Sequence, residues 1–473
     1  MIAITEQLIH DHLSKAIECA RNESNTKLVS VVKKVRPIDP LIFYANGYRQ
    51  FCKERFFWRD PNQQYTFVGL GRAYTLSSKE GSARFFDTEK QWKRFKKDIL
   101  YTNNVEFPNG TGPLLFGGFS FDPYQKKDSY WTDFSNSKFV IPSVLYTEAD
   151  GNGYLSINIK VSGEDNIQDH LKHIEELEGL LINQEYDGSS YSSPLLLTKE
   201  EIDVQRFTKN VQNATSLIQQ EKIEKVVLAR QLKATFTEAI STEYVIQRLL
   251  REQPTSYTFI FENENQHFVG ASPERLVQKE GDYVFSTCLA GSIKRGKTRK
   301  EDALLGDELL NDQKNLIEHD VVVHMIKEAM DAYCMEVEIP MQPTLYKTKH
   351  IQHLYTPVRG KIKKDVTLFS LLKELHPTPA LGGYPQKESL SIIRKLEPFD
   401  RGWYAAPIGW IDINGNGEFI VGIRSGVIER QQAMLFAGCG IVADSTPESE
   451  YEETTIKFNP MLSALGGIAS GPY

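Results

Sequence analysis

The sequence predicts an α+β protein rather than a doubly wound parallel sheet, on two observations. Strand-like segments come in hairpin runs, and helical segments come in blocks instead of alternating with strands one for one. At the start of the chain Ile9, Leu13 and Ile17 fall at helical spacing, which predicts a helix ending near Ser30. From Leu28 to about Leu155 the chain is expected to be mostly β. Residues 65–70, 114–121 and 138–146 carry the strand pattern, and Asn109-Gly110 and Asp150-Gly151 mark turns between them. Residues 163–183 predict a helix, with Ile167, Leu171, Ile174, Leu177, Leu180 and Leu181 as its apolar stripe. Residues 184–197, rich in Ser, Tyr and Gly, are expected to form a linker or exposed loop.

The second half opens with an expected helix over 199–220, whose Phe207, Val211, Ala214 and Ile218 share one face, followed by a strand over 225–230. Residues 257–261 and 267–270 predict a hairpin, and 282–287 another strand. Residues 302–333 form one long helix or a broken pair. Residues 408–413, 419–428 and 433–443 form a strand meander with a turn at Asn414-Gly415-Asn416-Gly417, and 448–465 are helical. No internal repeat is present.

Composition excludes several classes. With 473 residues, 40% of them hydrophobic and 25% charged, the chain can bury a large core, so disorder is not its main state. At roughly 150 residues per domain the length is that of about three domains, and one large α/β or α+β domain is also allowed. The net charge of −7 gives no support to nucleic acid or an anionic membrane as the main partner. Cys19, Cys52, Cys288, Cys334 and Cys439 are scattered without a CxxC pair, so neither a zinc site nor a disulfide framework is indicated. The N-terminal residues lack the apolar run of a signal peptide, and the apolar stretch 434–443 is too short to span a bilayer. A cytoplasmic protein is expected.

Four groups of residues have chemistry beyond packing. Lys225 begins the apolar run Lys225-Val-Val-Leu-Ala-Arg230. Desolvation and a nearby Arg230 would favour the neutral amine that a general base needs; the alternative is an edge-strand lysine with its head in water. Glu274 follows a small-residue turn in Gly270-Ala-Ser-Pro-Glu-Arg-Leu276. In an apolar pocket it would stay protonated and serve as an acid; the alternative is a surface pair with Arg275. Glu318 lies on the long helix, and Glu450 and Glu453 stand at i, i+3 on another. Converging, they would suit Mg²⁺; apart, they are two solvated acidic faces. His319 and His353 lack zinc-ligand spacing. The segments 289–292 and 436–440 offer unobstructed backbone N–H groups, Arg424 could clamp a carboxylate, and Lys457 adds charge; turns and close strand packing are the commoner use of such glycines.

These pieces occur in the order KVVLAR, GASPERL, LAGSIKRG, KNLIEH, HPTPALGG, RGWYAAPIGW, GIRSG, AGCGIV and EYEETTIK. Over about Gln205 to Leu465 the chain closely resembles the chorismate-utilising enzymes, which include isochorismate, anthranilate, aminodeoxychorismate and salicylate synthases. The run Leu115-Phe-Gly-Gly-Phe-Ser-Phe121 also resembles the glycine-rich strand of their N-terminal part. The resemblance implies one large fold of two antiparallel sheets packed together with helices outside. Residues 1–198 would complete that fold, and residues 199–466 would form the catalytic part.

Within the family the pattern at three positions resembles isochorismate synthases: lysine at Lys225, Ala290 in place of a nucleophilic lysine, and Ala380 where salicylate synthases carry threonine. The implied roles are Lys225 as base and Glu274 as acid, with Glu318, Glu450 and Glu453 holding Mg²⁺. Ser292, His353, Ala380, Leu381, Tyr404, Arg424, Gly438, Gly440 and Lys457 would surround chorismate. The implied enzyme is a monomer of the menaquinone type, without a glutaminase subunit and without nucleic-acid or membrane partners. An aminating enzyme, a siderophore-pathway isochorismate synthase and a non-catalytic chorismate binder are the alternatives; a two-carboxylate glycosidase explains neither Lys225 nor Arg424. Ser292 replaces the family's usual threonine, Cys439 a common alanine, and Ala406 a frequent glycine.

Overall fold

A computed structural model describes residues 2–101, 107–182, 194–348 and 351–467. Among these residues the strands form two sheets, one of thirteen strands and one of ten. The sheets are antiparallel apart from the parallel pairing of Lys27–Val35 with Ile99–Tyr101. Strands from the first and second halves of the chain are hydrogen-bonded neighbours in both. Arg55–Arg59 pairs with Tyr257–Asn263 in the larger sheet, and Leu114–Phe119 pairs with Pro407–Asp412 in the smaller.

Period-two alternation decides which side chains go where. In Arg55-Phe-Phe-Trp-Arg59, Phe56 and Trp58 enter the core between the two sheets. Phe57 points to the other face of the larger sheet, into a second core closed by the helices Ile2–Glu23, Pro40–Asn46, Ile167–Ile182, Thr242–Glu252 and Pro447–Ala464. The middle of the larger sheet is therefore buried on both faces. Its strand Tyr257–Asn263 is buried at every position and lacks the polar-out alternation of a half-solvated strand.

Several elements differ from expectation for stated reasons. Residues 138–146 are two strands, Ser137–Ile141 in the smaller sheet and Val144–Ala149 in the larger, broken where Pro142 has no N–H to give a ladder. Residues 419–428 are likewise two strands, Gly417–Val421 in the smaller sheet and Ser425–Glu429 in the larger. The chain crosses between sheets at Gly422-Ile423-Arg424, where the Ser425 hydroxyl donates to the Gly422 carbonyl at 2.8 Å and Arg424 adopts φ +50°. The helix expected from residue 199 begins at Val204, because Leu196–Glu201 instead pairs as a strand with Lys225–Phe236. Most of the expected linker, residues 184–193, lies outside the described residues. The segment expected to be mostly β also contains the helices Pro40–Asn46 and Arg84–Phe95. The acidic helical stretch is a broken pair, Arg299–Asn311 and Gln313–Tyr333. Asp312 ends the first and caps the second by accepting from the Lys314 and Asn315 amides.

Candidate active site

One cavity, with an empty volume of about 820 Å³, gathers all but one of the residues singled out above as catalytic, metal-holding or substrate-contacting. It opens where the strands Lys225–Phe236 and Gln432–Ile441 meet the crossover at Arg424 and the N-terminal turns of two helices.

Lys225 is 5% exposed. Its strand is not an edge, since Gln432–Ile441 and Gly383–Tyr384 both pair with it. The amine donates to Glu318 Oε1 at 2.5 Å, with Glu318 held in the first turns of the helix Gln313–Tyr333. A Cβ at Gly440 would lie 2.7 Å from Lys225 Cε and 3.2 Å from Nζ, so glycine leaves the lysine its space. Arg230 does not approach this amine. Five residues along a strand put it on the opposite face, where it binds Glu201, Thr454 and Thr455.

Glu274 follows the strand Gln266–Ser272 and is 6% exposed. Its carboxyl has no hydrogen-bond partner among the described residues. Burial pushes its pKa up to about 7, against the opposing pull of Arg424, Lys225 and Lys457. The surface pair with Arg275 does not form: Arg275 turns away to Glu418 Oε1 at 2.6 Å and the Tyr257 hydroxyl at 3.0 Å.

Helix Pro447–Ala464 brings the remaining charges. Thr446 caps it by accepting from the Ser449 amide, and Pro447 starts it with a fixed φ and no N–H to satisfy. Lys457 donates to the Gly438 carbonyl at 2.9 Å and to Glu453 Oε1 at 2.5 Å. Burial alone would raise the Glu453 carboxyl, but Lys457, then Arg424 and Lys225, hold it below the ordinary value. Glu450 is the exception to the gathering. It does not line the cavity and lies behind it, where burial first and Glu453 second push its carboxyl up; its Oε2 has no hydrogen-bond partner.

Ser292 and His353 face each other across paired strands. Burial, then Arg424 and Lys457, pushes His353 down to about 3, so its ring is neutral, and its Nε2 has no partner. Ala380 and Leu381 form a wall, and the Tyr404 ring stacks on Phe436 at 5.3 Å. Arg401 also lines the cavity, and the sequence argument assigned it no role. It is clamped to Glu397 and donates to the carbonyls of Leu381 at 3.0 Å and Val227 at 2.7 Å, tying the Ala380 loop to the Lys225 strand. The available signal was a charged residue leading the apolar run Arg401-Gly-Trp-Tyr-Ala-Ala.

No group of three or more His, Cys, Asp or Glu is gathered for a metal among the described residues. Glu318 and Glu453 share the cavity, each held by a lysine. The donor set nevertheless fits a hard cation: it is all carboxylate oxygen, and Glu450 keeps a buried, unpartnered oxygen beside Glu453. In chemical terms, an amine at the start of a strand and a carboxylic acid in the link between two others face one cavity that Arg401, Arg424 and Lys457 also line.

Comparison with known proteins gives one family. The family described as "Chorismate binding enzyme" matches residues 13–466. The isochorismate synthase MenF of Bacillus subtilis is 44% identical over 99% of this chain and 99% of its own length. The salicylate biosynthesis isochorismate synthase of Pseudomonas aeruginosa is 35% identical over 97% of this chain and 95% of its own. The solved structure of MenF, the menaquinone-specific isochorismate synthase of Escherichia coli, shares the fold with a TM-score of 0.77 at 23% identity, covering 96% of this chain and 100% of that one.

Proposed function

The chain belongs to the chorismate-binding enzymes, and from that premise we propose how its buried lysine and glutamic acid carry out its reaction. It is an isochorismate synthase, an isomerase that interconverts chorismate and isochorismate. The observation that carries the proposed roles is the placement of Lys225, at the start of a strand, and Glu274, in the link between the strands Gln266–Ser272 and Arg275–Glu280, around one buried cavity.

Lys225, its lone pair turned from Glu318 toward a water, takes a proton as the water oxygen bonds to C2 of the ring. The double bonds shift and the C4–oxygen bond breaks. Glu274 supplies the proton with which that hydroxyl leaves as water, a task suited to an acid held up at about 7. One water enters and one leaves, so the product is an isomer, and return of the proton from Lys225 to Glu274 restores both groups. Arg424, Lys457, Ser292, His353 and the backbone at Gly438 and Gly440 hold the substrate carboxylates, while Tyr404, Leu381 and Ala380 shape the ring pocket. Glu318 and Glu453, with Glu450 behind them, would hold Mg²⁺, which when bound would supply counter-charge to the ring carboxylate.

The same reading makes the enzyme a cytoplasmic monomer that works without a glutaminase subunit, nucleic acid or membrane. Among the described residues no helix is long and apolar enough to cross a bilayer. Its long N-terminal part supports a role in menaquinone synthesis rather than siderophore synthesis. The test is chromatography of the product from chorismate and Mg²⁺, with and without ammonium, for the wild type, Lys225→Ala and Glu274→Gln. Isochorismate is expected in both conditions, and each variant is expected to lose on the order of 10²–10⁴ in rate. Near-normal turnover by either variant would overturn its assigned role.

A further inference from the structure

A second cleft, with an empty volume of about 1770 Å³, opens at the other ends of strands that reach the active site. Ser425–Glu429 runs from Arg424 in the catalytic cavity to Arg430 in this cleft. Gln266–Ser272 runs from His267 in the cleft toward Glu274 in the cavity.

The floor of the cleft is buried and internally matched. Arg55, Glu243 and Glu262 are 2%, 6% and 3% exposed. Arg55 Nη1 bonds Glu243 at 2.7 Å, and its Nη2 and Nε bond Glu262 at 2.6 and 2.9 Å, so both carboxylates are already engaged. The rim is different. Arg49, Lys53 and Arg430 line it and are exposed. Lys53 donates to the neutral Asn265 side chain at 2.8 Å. The guanidinium groups of Arg49 and Arg430 have no hydrogen bond or ion pair among the described residues. His267 adds a buried Nδ1 with no hydrogen-bond partner. Tyr48 adds an exposed ring 5.1 Å from the Arg55 guanidinium.

Four cations thus face two carboxylates that one of the four already holds, on a chain of net charge −7. Free guanidinium forks in a concave site match the planar, bidentate geometry of carboxylate and phosphate. A divalent cation would meet like charge, and an apolar ligand would strip water from three unmatched cations. We propose that this cleft binds a small organic polyanion, carboxylate or phosphate, at a site separate from the substrate cavity.

The test is calorimetric titration of the full-length protein, in metal-free buffer, with citrate and separately with inorganic pyrophosphate. The comparison is the variant Arg49→Ala/Arg430→Ala, with either single variant as the substitute if the pair does not fold. The wild type is expected to show one saturable site for at least one probe. The variant is expected to bind at least about tenfold more weakly, since each charge-assisted hydrogen bond counts for that much, while forming isochorismate at the wild-type rate. Whichever probe binds tighter decides carboxylate against phosphate. Absence of saturable binding to the wild type would overturn the proposal. So would equal affinity in the variant, which would place the anion in the catalytic cavity instead.

Discussion

Arg55 and Lys225 are both buried basic side chains that meet carboxylates, and their surroundings differ in one respect. Around Arg55 the charged groups are matched, although the neighbouring His267 Nδ1 is not. Its nitrogens reach Glu243, Glu262, Thr242 and the Tyr44 carbonyl, and the Tyr44 hydroxyl donates to Glu262 at 2.8 Å. Around Lys225 the groups are left over. Glu274 has no partner, His353 Nε2 and Glu450 Oε2 are buried and unpaired, and Arg424 is held at a positive φ that few non-glycine residues adopt. A matched network serves cohesion, because desolvation is offset by bonds already made. An unmatched one is kept available for groups that arrive with substrate, at a cost to stability.

That contrast is open to attack by mutation. The largest effect is expected from Glu274→Gln, which should lower isochorismate formation by on the order of 10²–10⁴ without unfolding the protein. Its pH signature is specific. The Glu274 carboxyl titrates near 7 in the folded chain against 4.5 ordinarily, so between those values the native state binds more protons than the unfolded state, and stability falls as pH rises. Removing the group removes that slope. Chemical denaturation should find the variant more stable than wild type at pH 8 by up to a few kcal/mol, with the difference vanishing near pH 4. A variant less stable at pH 8 would mean that Glu274 is a matched group after all.

Arg55→Ala should do the reverse. It strands Glu243 and Glu262 in the interior and is expected to cost about 3–5 kcal/mol in a denaturation curve, while the folded fraction keeps its kcat. Gly440→Ala comes next. Its Cβ would displace the end of the Lys225 side chain, and a loss of about 10² in kcat is expected with little change in Tm, because a flexible side chain gives way more easily than backbone. Tyr44→Phe should be mildest, at about 1–2 kcal/mol of stability with unchanged turnover. Loss of activity without loss of stability in either Arg55→Ala or Tyr44→Phe would erase the distinction between the two clusters.

The two crossovers between sheets are hidden in the sequence for one reason. Residues 138–146 and 419–428 each carry one continuous strand pattern, and each is two strands in different sheets. Alternation reports that a residue is buried. It does not report which sheet buries it, because both sheets line the same core. The second crossover is also what carries Arg424 to the cavity, so the missed break lies at a functional residue. Arg230 is near Lys225 in sequence, but the parity of the strand puts it on the other face.

The sequence by itself determined the helical and strand periods, the family through its ordered motifs, and every charged residue that lines the cavity except Arg401. These are local patterns or short words, and they survive without knowledge of distance. Only the tertiary structure decided which charges meet. It gave Lys225 to Glu318 and Lys457 to Glu453, set Glu450 behind the cavity wall, and buried Glu274 far enough from any hydrogen-bond partner to keep its proton near neutrality. The physical reason is that desolvation and Coulomb energies depend on distance and burial, which one chain acquires only when strands distant in sequence become neighbours.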